Sequence, residues 1–238
     1  VIIPHRTPTG KHGRQKRKNK ALLDRIMHAK LPKILLRRAD MQFDETKTYV
    51  NLARSFAGES QAGMRYQLAA RLATQQGYAT LAETIRTLAK NETVHARRFF
   101  EELSKRGKQL DNIVLDAGYP FHGGDLQECL RVAALDEHAE HSRIYPAFAE
   151  EAEAEGYADV AALFRMIANV EKRHEMIFNY LYEAFKTGTL FSNESPMVYI
   201  CSECGYMHTG TKAWDVCPLC KSSQGYVELH LPFEKEKI

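Results

Sequence analysis

Two short stretches of this sequence place a glutamate three residues before a histidine. NETVH contains Glu92 and His95, and VEKRHE contains Glu171 and His174. Three residues make nearly one turn of an α-helix, so both side chains of a pair would project from the same helical face. A carboxylate and an imidazole on one face can bind a single divalent transition metal. For either pair alone, the alternative is a solvent-exposed charged face.

Two Cys-x-x-Cys motifs near the C-terminus form a second group of residues suited to metal chemistry. Four of the five cysteines lie within the stretch 201–220, which favours a metal site over a disulfide framework. Four thiolates can converge tetrahedrally on one iron or zinc ion, and the pattern does not distinguish the two metals. We expect the remaining Cys129 to be a small core residue. The predicted ligands are Cys201, Cys204, Cys217 and Cys220.

The elements that must position the Glu-x-x-His pairs are long helices. Between residues 46 and 185, apolar residues recur at spacings of three and four, and glycines interrupt the pattern. Asp125 followed by Glu128 resembles a capping box at a helix start. An 18-residue connection, 107–124, precedes this third helix and is long enough to cross a bundle. The predicted helices span about 46–76, 79–106, 125–156 and 157–185.

The chain also contains an internal repeat. GYATLAETIRTLAKNETVHARRF (77–99) aligns without gaps to GYADVAALFRMIANVEKRHEMIF (156–178), and nine of the 23 positions are identical. Both Glu-x-x-His pairs fall at equivalent positions of the two copies. Two helical hairpins joined by one long crossover predict an all-α four-helix bundle of the ferritin-like kind.

Acidic and imidazole side chains interrupt the apolar face of each predicted helix near its middle. Buried carboxylates without a buried Lys or Arg would repel one another and lose hydration, at a cost of several kcal/mol per unpaired ion. Either a buried cation is present or several of the acids are protonated. Two divalent irons match this mixture of ligands. The residues of this layer are Glu59, Glu92, His95, Glu137, Glu140, Glu171 and His174.

The third helix supplies two acids, Glu137 and Glu140, one more carboxylate than a minimal di-iron set requires. The surplus suggests that an iron exchanges His95 for Glu137 when its charge changes. The alternative is that Glu137 lies outside the ligand set. Tyr66 and Tyr145 fall in or near the layer, where they either hydrogen-bond to ligand carboxylates or pack in the core.

Composition divides the chain into a basic N-terminal segment and an acidic remainder. Residues 1–40 contain twelve Lys and Arg against two Asp, a net charge of +10, whereas the whole chain carries +3. We expect 1–40 to be an extension that is disordered or non-native. We further expect a ferritin-like domain at 41–188, a linker at 189–197 and a cysteine domain at 198–238. No membrane-spanning run or secretory signal is evident, so we expect a cytoplasmic protein.

The helical pattern and the cysteine motifs together resemble the rubrerythrin family over nearly all of 41–238. The matching stretches are FAGESQAGMRY, NETVHA, DEHAEHSRIYPAFA, NVEKRHE and the two cysteine motifs. The resemblance implies a non-haem di-iron peroxidase that reduces hydrogen peroxide to water. Its electrons would come through a rubredoxin-like iron centre from an external reductase or rubredoxin, and the chain would form a head-to-tail homodimer.

Residue by residue, the resemblance makes the seven layer residues the di-iron ligands, with Glu92 and Glu140 as the bridging pair. Tyr66 and Tyr145 match the residues beside the ligands, and the four cysteines match the rubredoxin ligands. One departure is Lys221, which stands where the family usually has Gly. A left-handed backbone there would be strained by about 1 kcal/mol.

Two other functions are open on the sequence alone. A di-iron oxidase or ferroxidase would act on dioxygen or ferrous iron with the same ligands. A zinc-ribbon protein would use the basic arm to bind nucleic acid, with zinc at the cysteines. The second alternative leaves the inward carboxylates unexplained, so we expect no nucleic-acid partner.

Overall fold

The computed structural model describes residues 42–107, 112–121 and 123–231. The basic segment 1–40, expected to be an extension, lies outside these residues. A 3₁₀ turn, Phe43–Glu45, comes first. The helices of the described chain are α1 (Lys47–Gln75), α2 (Ala79–Arg106), α3 (Leu126–Ala139), α4 (Tyr145–Ala154) and α5 (Ala158–Thr187). None of the helices in these ranges is long and apolar enough to cross a membrane.

The ends of the helices follow the signals in the sequence. The Thr46 side chain caps α1 by accepting a hydrogen bond from the Tyr49 N–H, and the Asp125 carboxylate caps α3 by accepting one from the Glu128 N–H at 2.8 Å. Gly77 and Gly156 follow α1 and α4 with φ of +84° and +91°, which only glycine adopts without strain. The predicted helix boundaries therefore agree with the structure to within about two residues.

The third predicted helix is interrupted by a π-helical turn, Glu140–Ile144, between α3 and α4. The Tyr145 N–H donates to the Glu140 carbonyl, five residues back. Pro146 follows at once and has no N–H with which to continue an α-helical pattern. The turn holds an extra residue, so the buried face after it moves along the chain by one position.

This shift corrects the predicted apolar face of the third helix. Spacings of three and four that start from Leu126 predict Ile144 and Phe148 on the inward face of an unbroken helix, but both are only half-buried. Tyr145 and Ala149 are buried instead, at 2% and 0% exposure. The π turn therefore brings Tyr145 into the layer of acidic residues.

The bundle is built from two helical hairpins, as the internal repeat predicts. Helices α1 and α2 pack against each other, and α3 and α4 pack against α5. The described part of the crossover is attached to α1, because Arg54 donates to the Asp116 carbonyl at 3.0 Å and Tyr119 donates to the Arg54 carbonyl at 3.1 Å. The largest fully buried apolar side chains are Phe99, Phe164, Phe178, Leu52, Leu81, Ile85, Leu88, Leu126, Leu130, Ile177 and Leu181.

The C-terminal part of the described chain forms a small cysteine module. Strands β1 (Ser192–Ile200) and β2 (Met207–Lys212) pair antiparallel, with Tyr199 opposite His208. β1 begins inside 189–197, the segment predicted to be a linker. The polar sequence SNESP is typical of a loop, but Ser192 already pairs with Lys212, and an irregularity in the pairing lies between Ser192 and Met197.

The cysteine module packs against the turn that joins α1 and α2 in the same chain. Thr80 Oγ1 lies 2.7 Å from the Val227 carbonyl oxygen and 3.2 Å from that of Gly225. The Tyr78 ring stacks on Phe191 with centroids 6.3 Å apart. A Cβ on Gly225 would lie only 1.7 Å from the Gly77 carbonyl oxygen, so the two backbones are in direct contact.

We therefore expect Gly225→Ala to loosen the module from the bundle. A methyl group at that position has no space, and overpacking of this kind costs about 1–3 kcal/mol. Amide hydrogen exchange at residues 77–80 and 225–227 should become about tenfold faster or more. Gly210→Ala is the control, because its Cβ would meet only the mobile tip of the exposed His208 side chain. Equal exchange rates in the two variants would contradict the contact.

Candidate metal centres

The first metal-binding group joins three helices. Glu59 of α1, Glu92 and His95 of α2, and Glu171 of α5 offer ligand atoms that lie within 4.8 Å of one another. His95 Nδ1 is 2.9 Å from Glu171 Oε1, 3.2 Å from Glu92 Oε2 and 3.6 Å from Glu59 Oε2. All four side chains are buried. One imidazole thus faces three carboxylates in the middle of the bundle.

The second group shares two of these carboxylates. Glu92 and Glu171 combine with Glu137 of α3 and His174 of α5, again within 4.8 Å. His174 Nδ1 lies 2.8 Å from Glu92 Oε1 and 2.8 Å from Glu171 Oε2. The rings of His95 and His174 stack with centroids 5.8 Å apart. Two adjacent sites with a common pair of carboxylates are the arrangement that two neighbouring metal ions require.

The hydrogen bonding of the layer tests whether metal ions fit. Buried side-chain atoms without a hydrogen-bond partner include one oxygen each of Glu59, Glu92 and Glu137, both oxygens of Glu171, and His174 Nδ1. Leaving buried polar atoms unsatisfied costs about 1–3 kcal/mol each, and more for charged groups. His174 Nδ1 lies 2.8 Å from Glu92 Oε1 and from Glu171 Oε2 without forming a hydrogen bond to either, and a cation between such atoms would satisfy them. Mixed carboxylate and imidazole ligands suit iron, so the residues fit a di-iron centre.

The pKa values of the acidic and imidazole side chains in this layer reflect repulsion between the buried carboxylates. Burial raises the pKa of Glu59 well above its usual range, and the charges of Glu171 and Glu92 add to the effect. Burial followed by the charge of Glu92 raises the pKa of Glu137 to about 8. Burial opposes ionisation of His174, but contacts with Glu137, Glu171 and Glu92 outweigh it and raise the pKa. Metal binding would displace the protons that this layer holds.

Three polar side chains contact the ligand residues. The Tyr66 hydroxyl donates to Glu137 Oε1 at 2.5 Å, and the Tyr145 hydroxyl donates to Glu59. Asn91 Oδ1 lies 3.3 Å from His174 Nε2, so it can fix the ring with Nδ1 towards the carboxylates. The repeat gives no signal for Asn91, because the other copy has Val170 at the equivalent position.

Glu140 stands apart from both groups. It begins the π turn, is half-buried and lines a cavity of about 500 Å³ between α1, the crossover and the third helix. Burial and the charge of Glu59 raise the pKa of Glu140 well above its usual range. Two buried polar atoms at this cavity, Arg54 Nε and Ser55 Oγ, have no hydrogen-bond partner. Among the seven predicted ligands, Glu140 is a lining residue of this cavity.

This placement changes the roles expected within the layer. The resemblance implied Glu92 and Glu140 as the bridging pair, but Glu92 and Glu171 are the two residues common to both groups. The predicted exchange of His95 for Glu137 stays a prediction. Glu137 belongs to the group of His174, on the other side of the shared carboxylates.

The four cysteines converge as their spacing predicts. Their sulfur atoms lie within 4.8 Å of one another, with 3.7 Å between Cys201 and Cys220 and 3.7 Å between Cys204 and Cys217. Hydrogen bonds from the hydroxyl and N–H of Ser222 lower the pKa of Cys220 to about 6. None of these four thiols forms a disulfide, so all four are available as ligands of one tetrahedral metal ion.

The two cysteine motifs are turns of the same shape. The N–H of Gly205 donates to the Cys201 carbonyl at 2.8 Å, and the N–H of Lys221 donates to the Cys217 carbonyl at 3.0 Å. Gly205 has φ of +75° and Lys221 has φ of +66°. The left-handed backbone predicted at Lys221 is therefore present, and a residue with a Cβ occupies it.

We expect Lys221→Gly to stabilise the cysteine module by about 1 kcal/mol, because glycine adopts this conformation without steric cost. Denaturant-induced loss of the thiolate–iron absorbance would measure the change. Lys221→Ala is the matched control, since it also removes the Lys221 Nζ hydrogen bond to Pro218 but keeps the Cβ. A gain of equal size in both variants would show that backbone strain is not its source.

Comparison with known proteins agrees with both centres. The family model described as Rubrerythrin matches residues 50–182 and 128–197, and that of the rubrerythrin rubredoxin-like domain matches 199–228. Rubrerythrin-1 of Clostridium acetobutylicum is 40% identical over 187 residues, covering 77% of this chain and 94% of that protein. Rubrerythrin of Porphyromonas gingivalis is 40% identical over 184 residues, covering 77% and 90%.

Solved structures show the same fold. A mixed-valence state of nigerythrin superposes with a TM-score of 0.52 at 22% identity, covering 79% of this chain and 92% of that one. The bacterioferritin of Desulfovibrio desulfuricans gives a TM-score of 0.54 at 22% identity, covering 60% and 82%. The predicted ferritin-like bundle with a rubredoxin-like module is confirmed, as is iron as the metal that suits its sites. On the family models and the curated relatives, this chain belongs to the rubrerythrin family.

Proposed function

We propose that this chain is a peroxidase that reduces hydrogen peroxide to water with electrons received through the four-cysteine centre. The rubrerythrins are an oxidoreductase family. The observation that carries the peroxidase proposal is the presence in one chain of two overlapping carboxylate–imidazole groups and a four-thiolate centre. A two-electron reduction needs one site that holds the substrate and another that resupplies electrons.

In this proposal, Glu92 and Glu171 would serve as ligands in both iron sites. Glu59 and His95 would complete one ligand set, and Glu137 and His174 would complete the other. Two irons held by these residues would supply the two electrons that, with two protons, convert one peroxide molecule into two of water. Tyr145 and Tyr66 hold the carboxylates of Glu59 and Glu137 in place through hydrogen bonds.

The cavity at Glu140 is the proposed path for peroxide and water. The other predicted ligands are buried, and apolar side chains such as Phe99 and Phe178 close the bundle on both sides of the layer. Peroxide that enters beside Glu140 reaches the layer without opening the bundle. In this proposal, protons from solvent enter by the same cavity, whose lining includes Tyr145, the hydrogen-bond donor to Glu59.

A direct test compares hydrogen peroxide with dioxygen and ferrous iron as substrates of the iron-loaded protein. Peroxide should be consumed faster than dioxygen, with an external rubredoxin or reductase as electron donor. Faster turnover of dioxygen or net oxidation of ferrous iron would instead support the oxidase or ferroxidase alternative. The zinc-ribbon alternative gives the buried carboxylates no role, and we do not propose it.

The proposed path predicts that filling the cavity slows the enzyme. Gly58 lines the cavity, and its Cβ would lie 3.7 Å from the Tyr119 ring. We expect Gly58→Phe to lower kcat/KM for peroxide by roughly tenfold, with the iron content unchanged. Gly58→Ala is the control, because a methyl group makes only ordinary contact and leaves the cavity open. Unchanged kcat/KM in Gly58→Phe would show that peroxide enters elsewhere.

Electron delivery is proposed to occur between the subunits of a homodimer. The module contacts Thr80, and Glu92 lies twelve residues further along α2, about 18 Å away at 1.5 Å per residue. The module of a partner subunit docked beside the bundle offers a shorter path. Apolar side chains exposed on α1 and α2 support a subunit contact there: Phe56, Met64, Leu68, Val94 and Phe100.

A further inference from the structure

A third cluster of metal-binding side chains lies outside the two centres. It consists of His138 at the end of α3, His141 in the π turn and Glu175 of α5. His138 Nδ1 is 3.0 Å from Glu175 Oε1, and His141 Nε2 is 2.5 Å from Glu175 Oε2. The two imidazoles meet edge to face with centroids 5.2 Å apart. One carboxylate is thus held between two imidazoles from a neighbouring helix.

This cluster differs from the buried layer in its exposure to solvent. The side chains of His138, His141 and Glu175 are 58%, 17% and 21% exposed. An ion could therefore enter and leave without opening the bundle. Two imidazoles and one carboxylate also leave further coordination positions for water, as in exchangeable zinc sites rather than closed structural ones.

The ligand types and their separation limit which ion would bind. The three ligand atoms lie within 4.8 Å of one another, which small rotations can reconcile with metal–ligand bonds of about 2.0–2.2 Å. Imidazole favours zinc, iron, nickel and copper, whereas magnesium and calcium prefer sites made of oxygen ligands alone. The site therefore suits a divalent first-row transition ion.

Each member of the cluster is the chain neighbour of a predicted di-iron ligand. His138 follows Glu137, His141 follows Glu140, and Glu175 follows His174. Successive residues of a helix point about 100° apart, so one segment carries an inner ligand and an outer ligand side by side. An ion at the outer cluster would tie the end of α3 and the π turn to α5, behind the inner site.

We infer that His138, His141 and Glu175 form a third metal site, an exchangeable surface site for a divalent transition ion such as Zn²⁺. The inference does not depend on the peroxidase proposal, because it concerns binding at residues outside both iron centres. The ordinary alternative is a hydrogen-bonded cluster that binds nothing.

Zinc titration of the iron-loaded, full-length protein tests the site. By calorimetry, the wild-type protein should bind one more Zn²⁺ than the double variant His138→Ala/His141→Ala. Glu175→Gln should bind that ion at least about tenfold more weakly. Even the loss of a residue that only orients a metal ligand lowers metal affinity by about tenfold or more. His208→Ala, which removes an exposed imidazole of the cysteine module, is the matched control and should behave as wild type. Equal stoichiometry and affinity in wild type and the double variant would overturn the site.

Anomalous diffraction from zinc-soaked crystals locates the ion directly and is independent of how the variants fold. We expect a peak within coordination distance of His138, His141 and Glu175. No peak there at a zinc concentration that saturates the protein in solution would also overturn the inference.

Discussion

Glu92→Ala should remove about two irons per chain from the bundle while the cysteine centre keeps its metal. Glu92 belongs to both metal-binding groups, and His95 and His174 approach its two oxygens at 3.2 Å and 2.8 Å. Loss of a shared carboxylate therefore removes a ligand from each iron at once. Metal analysis measures the total iron, and the visible absorbance of the ferric tetrathiolate reports the cysteine centre separately.

Two further variants make this prediction specific. Glu83→Ala removes an exposed carboxylate from the same helix and should keep all its iron. Glu140→Ala should also keep both bundle irons, because Glu140 lies in neither group. Loss of the bundle irons in Glu140→Ala as well as in Glu92→Ala would restore Glu140 to the bridging role, whereas retention of iron in Glu92→Ala would reject Glu92 as a shared ligand.

Six of the seven predicted ligands come together in the two groups, because they interrupt strong helical patterns. Glu92, His95, Glu171 and His174 lie on unbroken helices, α2 and α5, where spacing alone determines which face a side chain occupies. The internal repeat supported the same assignment. Prediction was least accurate where the helix is irregular.

The π turn accounts for the main errors. A periodic pattern assumes 3.6 residues per turn, so it assigned the wrong inward face to the residues after Glu140. Pro146 was the available signal, since a proline inside a long helical pattern indicates a local break. Strand β1 was missed for another reason: its pairing depends on the partner strand β2, which local composition does not reveal.

Mixing two inactive variants, Cys201→Ser and Glu92→Ala, should restore peroxidase activity once subunits exchange. Cys201→Ser removes one of the four thiolates, and Glu92→Ala removes the shared carboxylate of the bundle. In a mixed dimer, the bundle of the Cys201→Ser chain faces the intact cysteine module of the Glu92→Ala chain. Random exchange makes half of the dimers mixed, each with one of its two electron paths intact, so roughly a quarter of the wild-type activity should return.

A second mixture distinguishes transfer between subunits from transfer within one chain. When the wild-type chain is paired with the double variant Cys201→Ser/Glu92→Ala, the wild-type bundle faces a defective module and the wild-type module faces a defective bundle. Transfer between subunits predicts that this mixed dimer is inactive. Transfer within a chain predicts that the mixed dimer of the first mixture is inactive and that of the second is active. Only the wild-type chain then holds a complete electron path. Native mass spectrometry must show that mixed dimers have formed. Because wild-type homodimers stay active, transfer between subunits predicts that the activity of the second mixture falls by about half as subunits exchange. If that activity does not fall and the first mixture stays inactive, the electron path lies inside one subunit, across the contact between Thr80 and Val227.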